Sequence, residues 1–275
     1  MGEMTGTEDC ATKILIRGAG EMATGVAHRL ARCGYRVVMT EIEKPLAIRR
    51  GVAFAEAVHE GRIAVEGIEA RRADSIAEAE SILKQSAVPV MIDPELKVMA
   101  PWIDARRSII IDARMFKIAR RDCYPPHRAL IGLGPGFTAP ENARYVIETN
   151  RGHHLGRVIE NGSAQCDTGT PAEVGGASHE RVLYAPASGI FWSAKKIGDR
   201  VTAGDIIGRV EDSPVRTAIP GVLRGILHDT TPVTKQVKVA DVDPRGQRDA
   251  CFLISDKARA IAGGALEAVI RIQRE

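Results

Sequence analysis

A glycine turn near the start of the chain carries the residues best suited to chemistry. Gly18, Gly20 and Ala23 form the pattern G-x-G-x-x-A directly after the apolar run at residues 14–16. In such a turn the first glycine permits a tight bend, the second lets the backbone approach a pyrophosphate, and the small third residue lets the helix pack on the strand. Glu41 ends the next predicted strand, where an acid can accept a hydrogen bond from a ribose hydroxyl.

This pattern predicts a nucleotide site in the N-terminal part of the chain, with NAD(P) or another nucleotide as the cofactor. The alternative is a strand-to-helix turn that serves packing alone. The predicted phosphate contacts come from the turn and the start of its helix, and the predicted ribose contact comes from the acid: Gly18, Gly20, Glu21, Met22, Ala23 and Glu41.

Two aspartates are further candidates for the same site. Asp93 and Asp112 each follow a predicted buried strand, and open α/β sheets bind ligands at the carboxyl ends of their strands. Capping of the following turns is the alternative role. The glycine-rich turn at 132–137 can direct N–H groups at an anion, or is a tight turn imposed by Pro135. Three cations can meet an anionic ligand near this edge or be solvated: Arg114, Lys117 and Arg120.

Other reactive side chains give weaker signals. His153 and His154 lie in the loop RGHHLG, but adjacent histidines rarely point the same way and no nearby acid or thiolate completes a site, so no metal is expected. Cys166 lies in a polar loop and is expected to be exposed. Sequence signatures of hydrolases and of P-loop proteins are absent, which weakens a hydrolase assignment.

The elements that must position these residues alternate between strand and helix up to about residue 115, which predicts a Rossmann-like, doubly wound parallel sheet. Predicted helices cover 22–33 and 46–58, a third is capped by Asp74 or Ser75, and a buried strand is predicted over 88–92. From residue 181 the pattern becomes all-β, and a C-terminal helix over 257–272 is predicted to be interrupted by Gly263 and Gly264. The predicted fold is therefore α/β, with four parts: a nucleotide-binding domain (12–150), a loop-rich connection (151–180), a β domain (181–254) and a C-terminal helix (255–275).

The β-rich part resembles the biotinyl/lipoyl type of flattened barrel, also described as a hammerhead. The resemblance rests on A-P-x-x-G at 185–189 and on the paired turns at 197–201 and 203–206. Carrier domains of this type present a lysine at a hairpin tip, whereas this chain has Glu211 and Asp212 there. A covalent carrier role is therefore not expected.

Composition excludes several classes of protein. The net charge of +3 and the lack of a dense Lys/Arg tract argue against a nucleic-acid partner. No segment approaches the roughly 20 apolar residues of a membrane helix, and the first twelve residues lack an apolar signal core. The five cysteines are scattered without a C-x-x-C pair, so neither a disulfide framework nor a structural zinc site is expected. The chain is expected to be cytoplasmic and without a membrane partner.

A wider set of segments resembles one family, the accessory proteins of selenium-dependent molybdenum hydroxylases. These segments include IRGAGEMATGVAHRL, IDPE, IIIDARMFK, IGLGPGF, ETNRGHHLG and KVADVDPR, in this order along the chain. The resemblance implies an assembly factor that matures a molybdenum hydroxylase client enzyme, with the molybdenum cofactor as a further candidate ligand. It assigns no catalytic residue. The alternative function is an NAD(P)-dependent oxidoreductase acting on a small molecule.

Overall fold

The computed structural model describes residues 12–104, 107–118, 129–171 and 173–275; Arg120 lies outside these ranges. The chain forms a mixed α/β structure with a large, mostly parallel sheet, several small antiparallel sheets and a C-terminal helix. Among the described residues no helix is both long and apolar enough to cross a membrane.

The strands are numbered in chain order: β1 (Lys13–Arg17), β2 (Arg36–Glu41), β3 (Arg62–Val65), β4 (Ile68–Ala73), β5 (Val88–Ile92), β6 (Ser108–Asp112), β7 (Leu130–Leu133), β8 (Thr138–Ala139), β9 (Tyr145–Ile147), β10 (Val158–Ile159), β11 (Gly162–Ser163), β12 (Val182–Tyr184), β13 (Gly189–Ser193), β14 (Arg200–Val201), β15 (Ile206–Val210), β16 (Ser213–Arg216), β17 (Gly221–Ile226), β18 (Thr231–Val233) and β19 (Lys238–Asp243). The α-helices are α1 (Glu21–Arg32), α2 (Glu56–Glu60), α3 (Ile76–Lys84) and α4 (Asp256–Gln273). Short 3₁₀ helices cover Arg50–Val52, Ala100–Trp102 and Asp249–Phe252.

The large sheet has nine strands in the order β10-β9-β7-β6-β1-β2-β5-β4-β3. Its inner pairs are parallel, while β3 and β10 pair antiparallel at the two edges. The strand order reverses at β1, which lies between β2 and β6. A crevice opens at such a switch point outside the carboxyl ends of the strands, and the glycine turn follows β1 at that position.

The sequence around α1 explains why a helix forms there. Its apolar residues recur at helical spacing and are fully buried against the sheet, as Val26 and Leu30 illustrate. Cys33 ends the helix and Gly34 follows with φ of 85°, the left-handed conformation that glycine adopts without strain. The predicted helix over 22–33 is thus present as α1.

The helix predicted over 46–58 is wrong for most of its length. Only a 3₁₀ turn at Arg50–Val52 and the five-residue α2 are helical. Tertiary contacts explain the difference, because the Ile48 carbonyl accepts a hydrogen bond from the Ile226 N–H at 2.7 Å. The Arg50 Nε donates to the Ile226 carbonyl at 2.9 Å, so the segment is held in an irregular conformation along β17.

The C-terminal helix is continuous, so the interruption predicted at Gly263 and Gly264 is wrong. α4 packs against α1 across a close approach, where a Cβ added to Gly25 would lie 2.9 Å from the Ala258 Cβ. At Gly264 an added Cβ would lie 2.0 Å from the Gly156 carbonyl oxygen. The glycines therefore permit close packing, and α4 contributes to the same apolar core as α1 and β1.

The β-rich part forms two four-stranded antiparallel sheets, β12-β19-β17-β14 and β16-β15-β13-β18. Their inner faces enclose a separate apolar core that includes Phe191, Leu223 and Val242. The turn between β15 and β16 contains Glu211 and Asp212, at the tip where a carrier lysine was sought in the sequence.

Candidate functional site

The glycine turn has the backbone geometry that its sequence predicts. Gly18 has φ of 90°, and an added Cβ would lie 3.3 Å from the Ala113 carbonyl oxygen, so a side chain there would be strained and crowded. Gly20 is the N-cap of α1 at φ of −66° and, having no side chain, makes no side-chain cap. An added Cβ at Gly20 would meet nothing within 4 Å, so the space beside this residue is open.

Glu41 points back onto the glycine turn. Its Oε2 accepts a hydrogen bond from the Ala19 N–H at 2.7 Å, and its Oε1 accepts one from the Ile42 N–H at 2.8 Å. Burial raises the pKa of this carboxyl above its usual value, while the two N–H groups act in the opposite direction. Glu41 thus holds the turn in place in this structure, and its ribose contact stays a prediction.

The two sheet-edge aspartates have internal partners. Asp93 accepts hydrogen bonds from the backbone N–H groups of Lys97, Val98 and Met99 at 2.8–3.0 Å. Asp112, fully buried, accepts from the Arg114 side chain, with a distance of 2.6 Å to Nη2. Both carboxylates match the capping alternative, and a ligand role for either stays a prediction.

The second glycine-rich turn matches its packing alternative. An added Cβ at Gly132 would lie 2.1 Å from the Phe137 ring, so the aromatic side chain packs directly on the glycine backbone. The Gly134 N–H donates to the Ile147 carbonyl at 3.0 Å and is not directed at open space.

His153, His154 and Cys166 are all exposed side chains in the loops around β10 and β11. Among the described residues, the set of side chains close enough to hold a metal ion does not include any of the three.

A cleft of about 470 Å³ opens beside the first turn of α1, and we call it the central cleft. Glu21 and Met22 form part of one wall, the first turn of α4 forms another, and strands of the β-rich part form a third. Of the predicted site residues these two line the cleft. The others are not among its lining residues: Gly18, Gly20, Ala23, Glu41, Asp93 and Asp112. Six basic side chains line it: Lys117, Arg151, Arg181, Arg224, Lys238 and Lys257.

Two of these basic side chains pair with neighbouring carboxylates. Lys117 Nζ lies 2.8 Å from an Asp167 oxygen, and Arg151 contacts Asp256 with two hydrogen bonds of 2.6 and 3.0 Å. Lys117, one of the cations predicted to meet an anionic ligand, therefore lines the cleft together with its partner Asp167.

Glu21 is held in place at the cleft wall by a buried arginine. Its Oε1 lies 2.5 Å from the Arg49 Nη1, and Arg49 also donates to the carbonyls of Ala250 and Leu253 at 2.9 and 3.1 Å. Arg49 thereby links the start of α1 to the segment that leads into α4.

Asp241 pairs with two arginines that line the cleft. This fully buried carboxylate contacts both Arg181 and Arg224, with 2.8 Å between its Oδ2 and the Arg224 Nε. One carboxylate thus serves two guanidinium groups.

Lys238 and Lys257 carry the unbalanced charge of the cleft. Within the described part of the chain neither forms an ion pair with a carboxylate. Burial lowers the pKa of both ammonium groups; near Lys238 the arginines 181 and 224 lower it further, and near Lys257 Arg151 does. The charge of Glu21 acts on both lysines in the opposite direction.

This arrangement can bind an anion. An anionic group beside the two lysines would offset the effect of burial and favour their charged forms. The N–H groups at the start of α1 also suit an anion.

Sequence reasoning did not identify these two lysines. Lys238 begins β19 and Lys257 lies in the first turn of α4, both remote in sequence from the glycine turn. The available signals were the lysine that opens KVADVDPR and the Ser255 cap in front of Lys257. Neither signal indicates that the two residues meet α1.

The comparison with curated proteins gives one informative relative. The chain is 43% identical over 265 residues to the uncharacterized protein YqeB of Escherichia coli (strain K12). The match covers 95% of this chain and 48% of YqeB, so the chain spans about half the length of the curated relative it matches. No family model matches the chain.

The comparison with solved structures returns proteins of the aspartoacylase and succinylglutamate desuccinylase group. An aspartoacylase family protein from Mesorhizobium loti aligns over 84% of this chain and 85% of its own, at 13% identity and a TM-score of 0.27. The ectoine utilization protein EutE from Ruegeria pomeroyi aligns over 85% of both chains at 12% identity and a TM-score of 0.25. At such TM-scores we transfer neither an activity nor a site.

These comparisons contradict the resemblance inferred from the sequence. The structural neighbours are named as aspartoacylase-type proteins, the relative YqeB is uncharacterized, and none is named as an accessory protein of a molybdenum hydroxylase. The predicted assembly role and its molybdenum hydroxylase client are therefore wrong on these findings. The alternative of an NAD(P)-dependent oxidoreductase is withdrawn on the same findings, together with the selenium and molybdenum assignments.

Proposed function

We propose that this chain binds a small, phosphate-bearing anion in the central cleft. One observation carries the proposal: Lys238 and Lys257 face the cleft without a carboxylate partner among the described residues, and burial lowers the pKa of both. Two partly desolvated ammonium groups without carboxylate partners are unfavourable unless an anion pairs with them. The volume of about 470 Å³ suits a small metabolite and not a macromolecule.

The start of α1 favours phosphate as the anionic group. The first N–H groups of a helix lack partners within the helix, and the helix dipole adds partial positive charge there. Because Gly20 has no side chain, it leaves these N–H groups without a side-chain cap, and the space beside it is open. The predicted contacts at Gly18, Gly20, Glu21, Met22 and Ala23 are part of this proposal.

A further side chain lining the cleft can contact the remainder of such a ligand. Tyr184 ends β12 and leaves 38% of its surface exposed at the cleft. An exposed aromatic ring offers a face on which a planar group can stack. A nucleotide combines a planar group with phosphates, so nucleotides are the first class to test.

The competing ligand class is a small dicarboxylate, because the ammonium group of lysine is a compact charge that attracts carboxylates as well as phosphates. A thermal-shift series with pyrophosphate, ATP, GTP, CTP and succinate separates the two classes. We expect stabilisation by the phosphate compounds that increases with their concentration. Stabilisation by succinate alone would reassign the ligand class, and no stabilisation by any of them would contradict the proposal.

Matched lysine variants connect that stabilisation to the cleft. Lys238→Ala and Lys257→Ala are each expected to weaken binding about tenfold, which corresponds to about 1.4 kcal/mol. Lys235→Ala is the control, because this exposed lysine lies three residues before Lys238 and does not line the cleft. Equal loss in all three variants would indicate a general charge effect and not a site.

We also propose a finer description of the fold. The nine-stranded part is Rossmann-like (12–150) and is followed by a loop-rich connection (151–180). The β-rich part is a biotinyl/lipoyl-like domain without a carrier lysine (181–254), and the C-terminal helix follows it (255–275). The order reversal at β1 and the two packed antiparallel sheets support this description. A cytoplasmic location stays a prediction.

A further inference from the structure

Three side chains capable of binding a metal ion converge outside the central cleft. Glu56 and Glu60 lie one turn apart on α2, and His228 follows β17. One ligand atom from each residue lies within 4.8 Å of the other two. We propose that this cluster is a binding site for a divalent transition-metal ion such as Zn²⁺.

The hydrogen bond at the other nitrogen of His228 prepares its imidazole for this role. Nδ1 lies 2.8 Å from the Asp229 carbonyl oxygen, which can only accept, so Nδ1 carries the proton. In the neutral ring Nε2 then bears the lone pair. A backbone carbonyl bound to the remote N–H is the usual way in which a metal-binding histidine is oriented.

The contact at Nε2 requires a cation. Nε2 lies 3.2 Å from the Glu60 Oε1, and two lone-pair atoms at that distance repel each other. Either a proton on Nε2 or a metal ion between the two atoms removes the repulsion. The position of Glu56 beside the pair favours the metal ion, because it supplies a second carboxylate that a proton would not need.

The surroundings hold the ligands in position. The ring of His59 stacks on that of His228 with centroids 4.0 Å apart and planes within 8°. Arg50 Nη1 lies 2.6 Å from the Glu56 Oε1, which fixes that carboxylate and leaves its second oxygen for a metal ion. The positive charge of Arg50 repels a nearby dication, so the site is expected to bind a metal ion more weakly than a site without a neighbouring cation.

The ligand set and geometry indicate the class of ion. Atoms bound to one Zn²⁺ lie within about 4.4 Å of each other, twice the metal–oxygen distance, so small side-chain rotations close the observed set around an ion. One imidazole with two carboxylates suits Zn²⁺ or Mn²⁺, whereas Mg²⁺ prefers oxygen ligands and keeps its water. Three protein ligands leave a position open for water.

The test is a titration of the full, chelator-stripped chain with Zn²⁺ against a chromophoric competitor, with Mg²⁺ as the second probe. We expect one Zn²⁺ per chain and at least tenfold weaker binding of Mg²⁺. His228→Ala is expected to weaken Zn²⁺ binding at least tenfold. His153→Ala is the control, because this exposed histidine lies outside the cluster.

A second variant keeps the test valid if His228→Ala fails to fold. Glu60 is 60% exposed, so Glu60→Gln removes a ligand charge with little effect on folding and is also expected to weaken Zn²⁺ binding at least tenfold. Binding that is no tighter than the millimolar range, or equal binding by the chain and both variants, would overturn the proposal and leave a proton-bridged ion pair. Anion binding in the central cleft is measured in the presence of EDTA, so the two proposals fail independently.

Discussion

Two neighbouring glycines in α4 are expected to respond in opposite directions to the same substitution. At Gly263 an added Cβ would meet only the Arg29 Nη1 at 3.3 Å, the far end of a flexible side chain. At Gly264 it would lie 2.0 Å from the Gly156 carbonyl oxygen and 3.1 Å from the Ile147 Cγ2. The first position has room for a methyl group and the second does not.

The expected changes in the free energy of unfolding follow from these contacts. Gly263→Ala should stabilise the chain by about 0.5–1 kcal/mol, because alanine is the better helix former and restricts the unfolded chain. At Gly264 the same gain is outweighed. The added Cβ would lie roughly 1 Å or more closer to the facing backbone than ordinary van der Waals contact allows, so that backbone must move away. Overpacking of this kind destabilises by about 1–3 kcal/mol, so Gly264→Ala should come out about 1–2 kcal/mol less stable.

Urea unfolding followed by circular dichroism measures both variants against the parent chain, with an unchanged slope required for the comparison. The expected order of midpoints is Gly263→Ala, then the parent, then Gly264→Ala. Gly264→Ala should also weaken ligand binding, because the loop before Gly156 carries Arg151, which pairs with Asp256 at the cleft. A Gly264→Ala chain as stable as the parent would refute the packing argument for α4.

Three further outcomes test the central cleft. Gly20→Asp should preserve stability, since φ of −66° suits any residue and aspartate is a good N-cap, yet abolish anion binding in calorimetry; retained affinity would refute the turn as part of the site. Asp241→Asn should lower the free energy of unfolding by about 3 kcal/mol, because two arginines lose their shared carboxylate; a change below about 1 kcal/mol in urea unfolding would show that the pairing is not stabilising. Burial lowers the pKa of Lys238 and Lys257 below 10.5 and a bound anion raises it again, so the two lysines should take up protons on binding between the lowered pKa and 10.5. Calorimetry in buffers of different ionisation enthalpy measures that uptake, and proton release at high pH would contradict it.

Local sequence signals located most of the elements that surround the site. The buried strand predicted over Val88–Ile92 has these bounds in the structure, and the Ser75 side chain caps α3 by accepting from the Glu78 N–H. Both depend on residues close in sequence. The segment before α2 could not be predicted in this way, because Ile226, far along the chain, decides its conformation.

Only part of the candidate site could be predicted from the sequence, for the same reason. The glycine turn has a local signature, and Glu21 and Met22 do line the central cleft. Lys257 reaches the cleft because α4 packs on α1, and Lys238 reaches it from β19 of the β-rich part. Lysines that reach one cleft from two distant elements leave no pattern in the sequence.

Asp93 shows the opposite difficulty. A carboxylate at the end of a parallel strand is compatible with a ligand contact and with a cap, and only the three backbone N–H groups that it accepts from distinguish the two in this structure. Sequence position alone is compatible with both roles.

The most direct test of the central claim is an isothermal titration of pyrophosphate into the parent chain and into Lys238→Ala and Lys257→Ala, with Lys235→Ala as the control. We expect saturable binding of one pyrophosphate to the parent and the control, and at least about tenfold weaker binding to each cleft variant. Equal affinity in all four proteins, or no binding to any of them, would contradict it.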